Sequence, residues 1–262
     1  MRQGVWRYIG LGLVFCLLFA IFLVATAPAT WLAWGVARGS RGVVNLNAPT
    51  GGLWHGSATL VIHEATTPPR ALGQISWNLH AWRLFLGRAQ IELRLMDSNI
   101  DMHGQVGITY NTLYLDDVSA DVNAAYASSV YPPAALFKPE GRVTLRAPAV
   151  KIQQGSMTGK AELTWVNAAV SFSNGQVLGD YQLILDGQGQ SVPVKLNTLK
   201  GKLKLDGQGI WQPGRGHIQL SGNATPQEQP SEVEPLLQLI GPDLGGGRRA
   251  WRIEQNIAAL GW

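Results

Sequence analysis

Two patterns of hydrophobic and polar positions divide this chain. Near the N-terminus the apolar residues are continuous. From Tyr8 to Ala37 there is no Asp, Glu, Lys, Arg or His. The core of this run, Tyr8 to Ala27, has 20 residues, the number a helix needs to cross ~30 Å of hydrocarbon. Ile9, Leu11, Leu13, Val14, Phe15, Leu17, Leu18, Phe19, Ile21, Phe22, Leu23 and Val24 together favour insertion by about 4–7 kcal/mol. Pro28 marks the exit. Arg2 and Arg7 precede the run and predict a cytoplasmic N-terminus, although Arg38 and Arg41 on the far side weaken the charge bias. Trp6 on one side, and Trp31 and Trp34 on the other, fit interfacial anchors. The rival reading is a cleaved leader with Ala25-Thr26-Ala27 as its small-residue site. The run exceeds the usual 7–15-residue apolar segment of a leader, which favours a retained anchor. Either way the remainder is expected outside the cytoplasm.

Past the anchor the period is two. A linker leads into a first strand, Val43 to Leu46. Ala58, Leu60 and Ile62 then alternate with Ser57, Thr59 and His63. Ile91, Leu93 and Leu95 oppose Glu92 and Arg94. Val143 and Leu145 oppose Arg142, Thr144 and Arg146. Ala161, Leu163 and Trp165 oppose Lys160, Glu162 and Thr164. Tyr181, Leu183 and Leu185 oppose Gln182 and Asp186. Leu199, Leu203 and Leu205 oppose Lys200, Lys202 and Lys204. Ile218 and Leu220 flank Gln219, and Trp251 and Ile253 flank Arg252. One-faced alternation in short runs between Gly, Asn and Asp predicts antiparallel sheet of roughly twelve to fourteen strands. Such a sheet hides its apolar side by closing into a barrel, stacking as a sandwich or curling into a trough.

Helix signals beyond the anchor are sparse. Ser231-Glu-Val-Glu234 reads as a capping box before Leu236, Leu237, Leu239 and Ile240, with Gly241 and Pro242 as the stop. A second short helix is expected from Ala124 to Tyr131. Two internal echoes stand out: Gly73-Gln-Ile-Ser-Trp77 against Gly159-Lys-Ala-Glu-Leu-Thr-Trp165, and Asp186-Gly-Gln-Gly189 against Asp206-Gly-Gln-Gly209. They allow either a duplication of ~90 residues or shared hairpin chemistry. The expected organisation is a cytoplasmic N-terminus (1–7), a transmembrane helix (8–28), a linker with the first strand (29–50) and a periplasmic β-rich domain (51–262).

Composition agrees with this picture. Charged residues make up 15%, against ~25% in an ordinary soluble domain. The net charge of +4 is dispersed and makes no case for nucleic acid. Cys16 is the single cysteine, so an intramolecular disulfide and any multi-cysteine metal site are excluded. His55, His63, His80, His103 and His217 lack metal-ligand spacing. Ser57 follows a Gly but lies in a β run rather than on a nucleophile elbow. Gly245-Gly246-Gly247 precedes Arg248-Arg249, not a phosphate-binding helix, and reads as a hairpin loop. Asp116, Asp117 and Asp121 lack the glycine and glutamate of a calcium loop and read as a solvated turn. No acid/base constellation assembles, so neither an enzyme nor a cofactor or metal site is expected. Period-two spacing puts Lys200, Lys202 and Lys204 on one side of a strand. They read as a basic strip for an acidic surface or, more simply, as the lysines of a protected edge strand.

The order of features resembles the type II secretion system protein N family. A short basic start and one apolar helix lead into Ala27-Pro-Ala-Thr-Trp31-Leu32-Ala33. Gly52-Leu53-Trp54-His55-Gly56-Ser57-Ala58, Leu72-Gly-Gln-Ile-Ser-Trp77-Asn-Leu79, Leu84-Phe85-Leu86-Gly87-Arg-Ala89 and Leu236-Leu-Gln-Leu-Ile240-Gly241 follow in turn. The resemblance implies an accessory, non-catalytic inner-membrane component of the machine that exports folded proteins from the periplasm. Its partners would be other inner-membrane subunits of that machine. It also implies a curled, AsmA-like β-trough. The candidate concave apolar face is Trp54, Trp77, Leu93, Trp165, Leu183 and Leu203. The alternative function is a periplasmic trough that binds or passes lipid or another hydrophobic ligand, since apolar concave sites suit such ligands.

Overall fold

In the computed structural model of the chain, residues 2–63, 69–84, 86–126, 132–173, 175–227, 236–238 and 241–256 are described, the side chains of 2–11, 17, 132 and 133 excepted. The chain divides into two units, Met1–Ala81 and Trp82–Trp262. The first begins with a helix over Arg2–Ala25 (α1). A second helix, Ala29–Gly39 (α2), leads to three strands, Val44–Gly51 (β1), His55–Ile62 (β2) and Arg70–Leu79 (β3). β2 runs antiparallel to both of its neighbours, and α2 packs on β1. A residue before proline disfavours helical backbone, so α1 stops short of Ala27, and Pro28 caps the start of α2. Phe15, Leu18, Phe19 and Phe22 of α1 are all exposed. Among the described residues no helix is long and apolar enough to cross a membrane.

The stretch 29–50, expected as a linker with the first strand, also holds a helix. Residues 29–39 are helical, and the first strand starts at Val44 and runs on to Gly51. Ala29, Leu32, Ala33 and Val36 recur at i, i+3, i+4 and i+7, a helical stripe. It went unseen because the residues around it are nearly as apolar.

A single turn, Ala81–Leu84 (α3), stands at the boundary between the units. The second unit is built on ten strands: Ala89–Asp97 (β4), Ile100–Ile108 (β5), Thr112–Asn123 (β6), Glu140–Gln153 (β7), Ser156–Ala169 (β8), Gly179–Gly189 (β9), Val192–Gly201 (β10), Leu203–Gln212 (β11), His217–Pro226 (β12) and Arg249–Asn256 (β13). Each is antiparallel to the next in sequence, and among the described residues β4 and β13 do not pair. Of the three ways to hide an apolar side, the closed barrel and the two-sheet sandwich are therefore not used here.

Register decides which residues share a face, because directly paired residues point to the same side. One row crosses all ten strands: Leu95, Met102, Ala120, Leu145, Leu163, Leu183, Leu196, Gly207, Gly222 and Trp251. The row one residue away faces the other side: Arg94, His103, Ser119, Arg146, Glu162, Ile184, Lys195, Gln208, Ser221 and Arg252. The first row is free of charge across the ten strands, and the second is polar except for Ile184.

The sheet curls to cover its apolar side. The β7–β8 turn touches the β11–β12 turn across the two intervening strands: a Cβ placed on Gly155 would lie 2.5 Å from Gly214 Cα. At that end Ala147, Val150, Ile152, Met157 and Val192 form a buried cluster, with Trp211 packed on it. At the other end Leu178, Tyr181, Leu203 and Ala224 are buried with Leu236 and Leu237. These last two belong to the helical residues 236–238; the capping box at 231–234 lies outside the described residues. Of the helix expected from Ala124, Ala124–Tyr126 forms a 3-10 turn and 127–131 lie outside the described residues.

The Asp-Gly-Gln-Gly echo has a packing cause rather than a hairpin one. Gly187 of β9 and Gly207 of β11 each leave room for a large side chain from elsewhere in the sheet. A Cβ on Gly187 would sit 2.8 Å from Met157 Cγ, and one on Gly207 2.5 Å from the Trp251 indole. The acidic cluster is also corrected. Asp116, Asp117 and Asp121 lie within β6, not in a turn. Asp117 has φ +51°, at a register shift against β5. Its neighbours pair with arginines: Asp116 with Arg88 at 3.0 Å and Asp121 with Arg142 at 2.8 Å.

Two outcomes test this arrangement. Leu199 and Leu203 alternate in sequence as if on one face, yet Leu199 is 54% exposed and Leu203 1%. Leu203→Ala should cost ~2–5 kcal/mol, and Leu199→Ala should stay within ~0.5 kcal/mol, in urea unfolding of the full-length protein in detergent. Tyr181 is buried and donates its hydroxyl to Leu203 O at 2.8 Å. Burial first, and then the Asp180 carboxylate, raise its phenol above the ordinary value. The folded state therefore holds this proton after the unfolded chain has released it, so stability is lost as pH rises past about 10. The stability gap between wild type and Tyr181→Phe should narrow between pH 9 and 11 in thermal melts.

Candidate functional site

In the first unit, sequence and geometry converge on the loop between β1 and β2. Gly52, Leu53 and Trp54 form a collar around the end of α1. The last carbonyls of a helix have no partner within it. Here the Trp54 indole donates to Val24 O at 3.0 Å, and Leu53 N donates to Ala27 O at 2.8 Å. Pro28 bridges to Gly52, and Ala27 and Ala29 are buried beneath. Trp77 of β3, 4% exposed, closes the collar from the other side. Its indole donates to Leu53 O at 3.2 Å and to Gly52 O at 3.3 Å. Leu79 N donates to Trp54 O at 2.6 Å. Gly56 makes this packing possible: a Cβ there would lie 2.6 Å from the Trp77 ring and 2.5 Å from Thr50 O. The chain therefore passes from α1 into the sheet through a hydrogen-bonded joint.

Beside the joint, α2 presents two faces. Leu32, Ala33 and Val36 are half-buried, while Trp31, Trp34 and Arg38 point outward. Arg38 Cζ stacks 5.5 Å above the Trp34 ring. Arg2, Trp6 and Arg7 belong to the α1 backbone, and their side chains lie outside the described residues. Trp31 and Trp34 are on a separate helix, not on the linker expected there.

The candidate concave face divides. Trp54 and Trp77 serve the collar of the first unit. Leu93, Trp165, Leu183 and Leu203 do share the apolar face of the second unit, with Leu203 sealed in its core. Trp165 also donates to Glu140 O at 2.9 Å, so each of these three tryptophans pins a backbone carbonyl with its indole.

The lysine strip is corrected as well. β10 ends at Gly201, Lys202 occupies the bend and β11 begins at Leu203. A bend of one residue does not interrupt an alternating pattern, so the sequence reads through it. Each lysine has its own neighbour: Lys200 with Asp180 at 3.2 Å, Lys202 with Gln176 at 3.2 Å and Lys204 with Asp206 at 3.1 Å. Asp180 is buried and also accepts from Asn167 N at 2.7 Å. Sequence reasoning missed both this role and α2.

Elsewhere on the polar face, charges neutralise one another locally. Arg94 meets Glu92 at 2.9 Å, and Lys160 meets Glu162 at 2.6 Å. The hydrogen bond from Lys160 to Glu162, and the charge behind it, raise the ammonium above its ordinary value. Among the described residues no group of three His, Cys, Asp or Glu stands close enough to hold a metal ion. A cleft of about 820 Å³ in the second unit is bordered by Lys195, Asp206, Gln208, Trp251 and Arg252. The site is thus a hydrogen-bonded joint with a tryptophan-faced helix beside it.

The family model described as "Type II secretion system (T2SS), protein N" matches residues 43–252. That span opens just before β1, contains the collar loop and ends inside β13. No curated protein and no solved structure matches the chain.

Breaking the joint should be measurable. Trp54→Phe keeps the ring but loses the bond to Val24 O, a loss of ~0.5–1.5 kcal/mol. The Leu53 amide should then exchange hydrogen faster, with the second unit unchanged. Gly56→Ala forces a methyl into occupied space and should cost more, ~1–3 kcal/mol, read as a lower Tm of the first unit.

Proposed function

Because the chain belongs to the type II secretion system protein N family, we propose that it is an accessory, single-pass inner-membrane component of that machine. It supports assembly, or export of folded proteins from the periplasm, without chemistry of its own. Residues 8–28 cross the bilayer, 1–7 stay in the cytoplasm and the β-rich units stand in the periplasm. The family match over residues 43–252 carries this reading. Three observations support the details. The run from Tyr8 to Ala37 is uncharged. The apolar side chains described on α1, among them Phe15, Leu18, Phe19 and Phe22, are exposed rather than packed on the sheet. On the polar face Arg94 pairs with Glu92 and Lys160 with Glu162, while Arg146 and Lys195 stand in the same row, a mixed charged surface that suits contact with a partner.

The lipid-binding alternative has less to rest on. Its apolar face is filled at both ends by the protein's own side chains, Leu203 and Leu237 at one and Val192 and Met157 at the other. A native mass spectrum without co-purified lipid is the result expected of the accessory role.

The accessory role is tested by photocrosslinking in cells that run the secretion machine. A crosslinker in place of Tyr110, which is fully exposed, should capture inner-membrane secretion subunits, and deletion of the protein should reduce export of folded substrates. Normal export together with no captured secretion subunit would defeat the proposal.

A further inference from the structure

The outer face of α2 stands unused by the fold. Trp31 is 55% exposed and Trp34 66%. With Arg38 they follow at i, i+3 and i+7, a single stripe along one side of the helix. The opposite side, with Ala29, Leu32, Ala33 and Val36, faces β1. Two uncovered indoles and a stacked guanidinium, with no acidic residue in the helix, form a stripe of defined chemistry. Indoles settle at the headgroup level of a bilayer, where the ring is shielded and the N–H stays wet. An arginine beside them keeps its stem in the apolar layer and its head among phosphates.

The joint fixes where this stripe can be. α1 ends at Ala25 and α2 begins at Ala29. The three residues between them are held from both sides: Ala27 O accepts from Leu53 N at 2.8 Å, and Pro28 bridges to Gly52. Val24 O, one turn earlier, is held by Trp54. Such a link cannot swing α2 away from the point where α1 ends. If α1 crosses the bilayer, the eleven residues of α2, ~16 Å long, begin at its surface.

We propose that α2 is an in-plane surface helix whose Trp31–Trp34–Arg38 stripe beds into the lipid headgroup layer while its opposite face carries β1. The first unit then stands on the membrane rather than hanging from it on a tether. This rests on the reading of α1 as a membrane anchor, and the test separates the two. Gly35 lies on the outer face of α2, and a Cβ added there meets nothing within 4 Å. The full-length chain with Cys16→Ser receives a single nitroxide label at Gly35→Cys, Leu18→Cys or Asn47→Cys. Each is reconstituted in vesicles of phosphatidylethanolamine and phosphatidylglycerol. Depth is read from the ratio of oxygen to nickel-chelate collisions.

The label at 18 should report hydrocarbon, the label at 47 water and the label at 35 the headgroup layer. Adding Trp31→Ala and Trp34→Ala should move the label at 35 toward the value at 47 and leave 18 unchanged. A label at 35 as wet as 47, with 18 in hydrocarbon, overturns the surface helix and spares the anchor. A wet label at 18 overturns the anchor itself. Shielding of 35 from both collision reagents would assign the stripe to a protein partner and also overturn the proposal.

Discussion

A sheet that is apolar on one face and polar on the other must hide one of them, and the second unit is organised around that requirement. The leucine-rich row from Leu95 to Trp251 crosses ten strands without a charged residue. No second sheet is available to cover it among the described residues. The cover is made from the sheet itself, by curling, and from Leu236 and Leu237, which lie over one end. The large residues of the apolar side are then core. On the other side, Arg94 with Glu92 and Lys160 with Glu162 neutralise one another where they stand.

Much of this was legible in the chain, and the failures have physical causes. The alternation of Ala161, Leu163 and Trp165 against Lys160, Glu162 and Thr164 gave β8 its faces, and the same held for β4 and β9. Period two reports faces but not chain reversals. That is why Lys200, Lys202 and Lys204 looked like one strand when a bend of one residue divides them. Asp116 and Asp117 looked like a turn because acidic pairs favour turns. A bulge lets a strand carry them while Arg88 answers the first. α2 was hidden for the opposite reason: its stripe is drawn in apolar residues on an apolar ground.

The collar was legible as a cluster and not as a role. Gly52-Leu53-Trp54-His55-Gly56 stands in the sequence as part of one of the runs that carry the family resemblance. What it does depends on partners about thirty residues away at Val24 and about twenty away at Trp77. No local period encodes such pairings. The indole is suited to the task because it fills space like a hydrophobe and still offers one N–H to a backbone carbonyl.

In the second unit every strand lies beside its neighbours in sequence. Each hairpin can therefore add to the one before it, and no strand waits for a distant segment to fill a gap in the ladder. Pairings between near neighbours close short loops and form quickly. A chain synthesised from its N-terminus can lay down β4, β5 and β6 in the order in which they are made. The lid of Leu236 and Leu237 follows β12, and β13 with Trp251 follows the lid, so the final sealing of the core is a late event set by the topology.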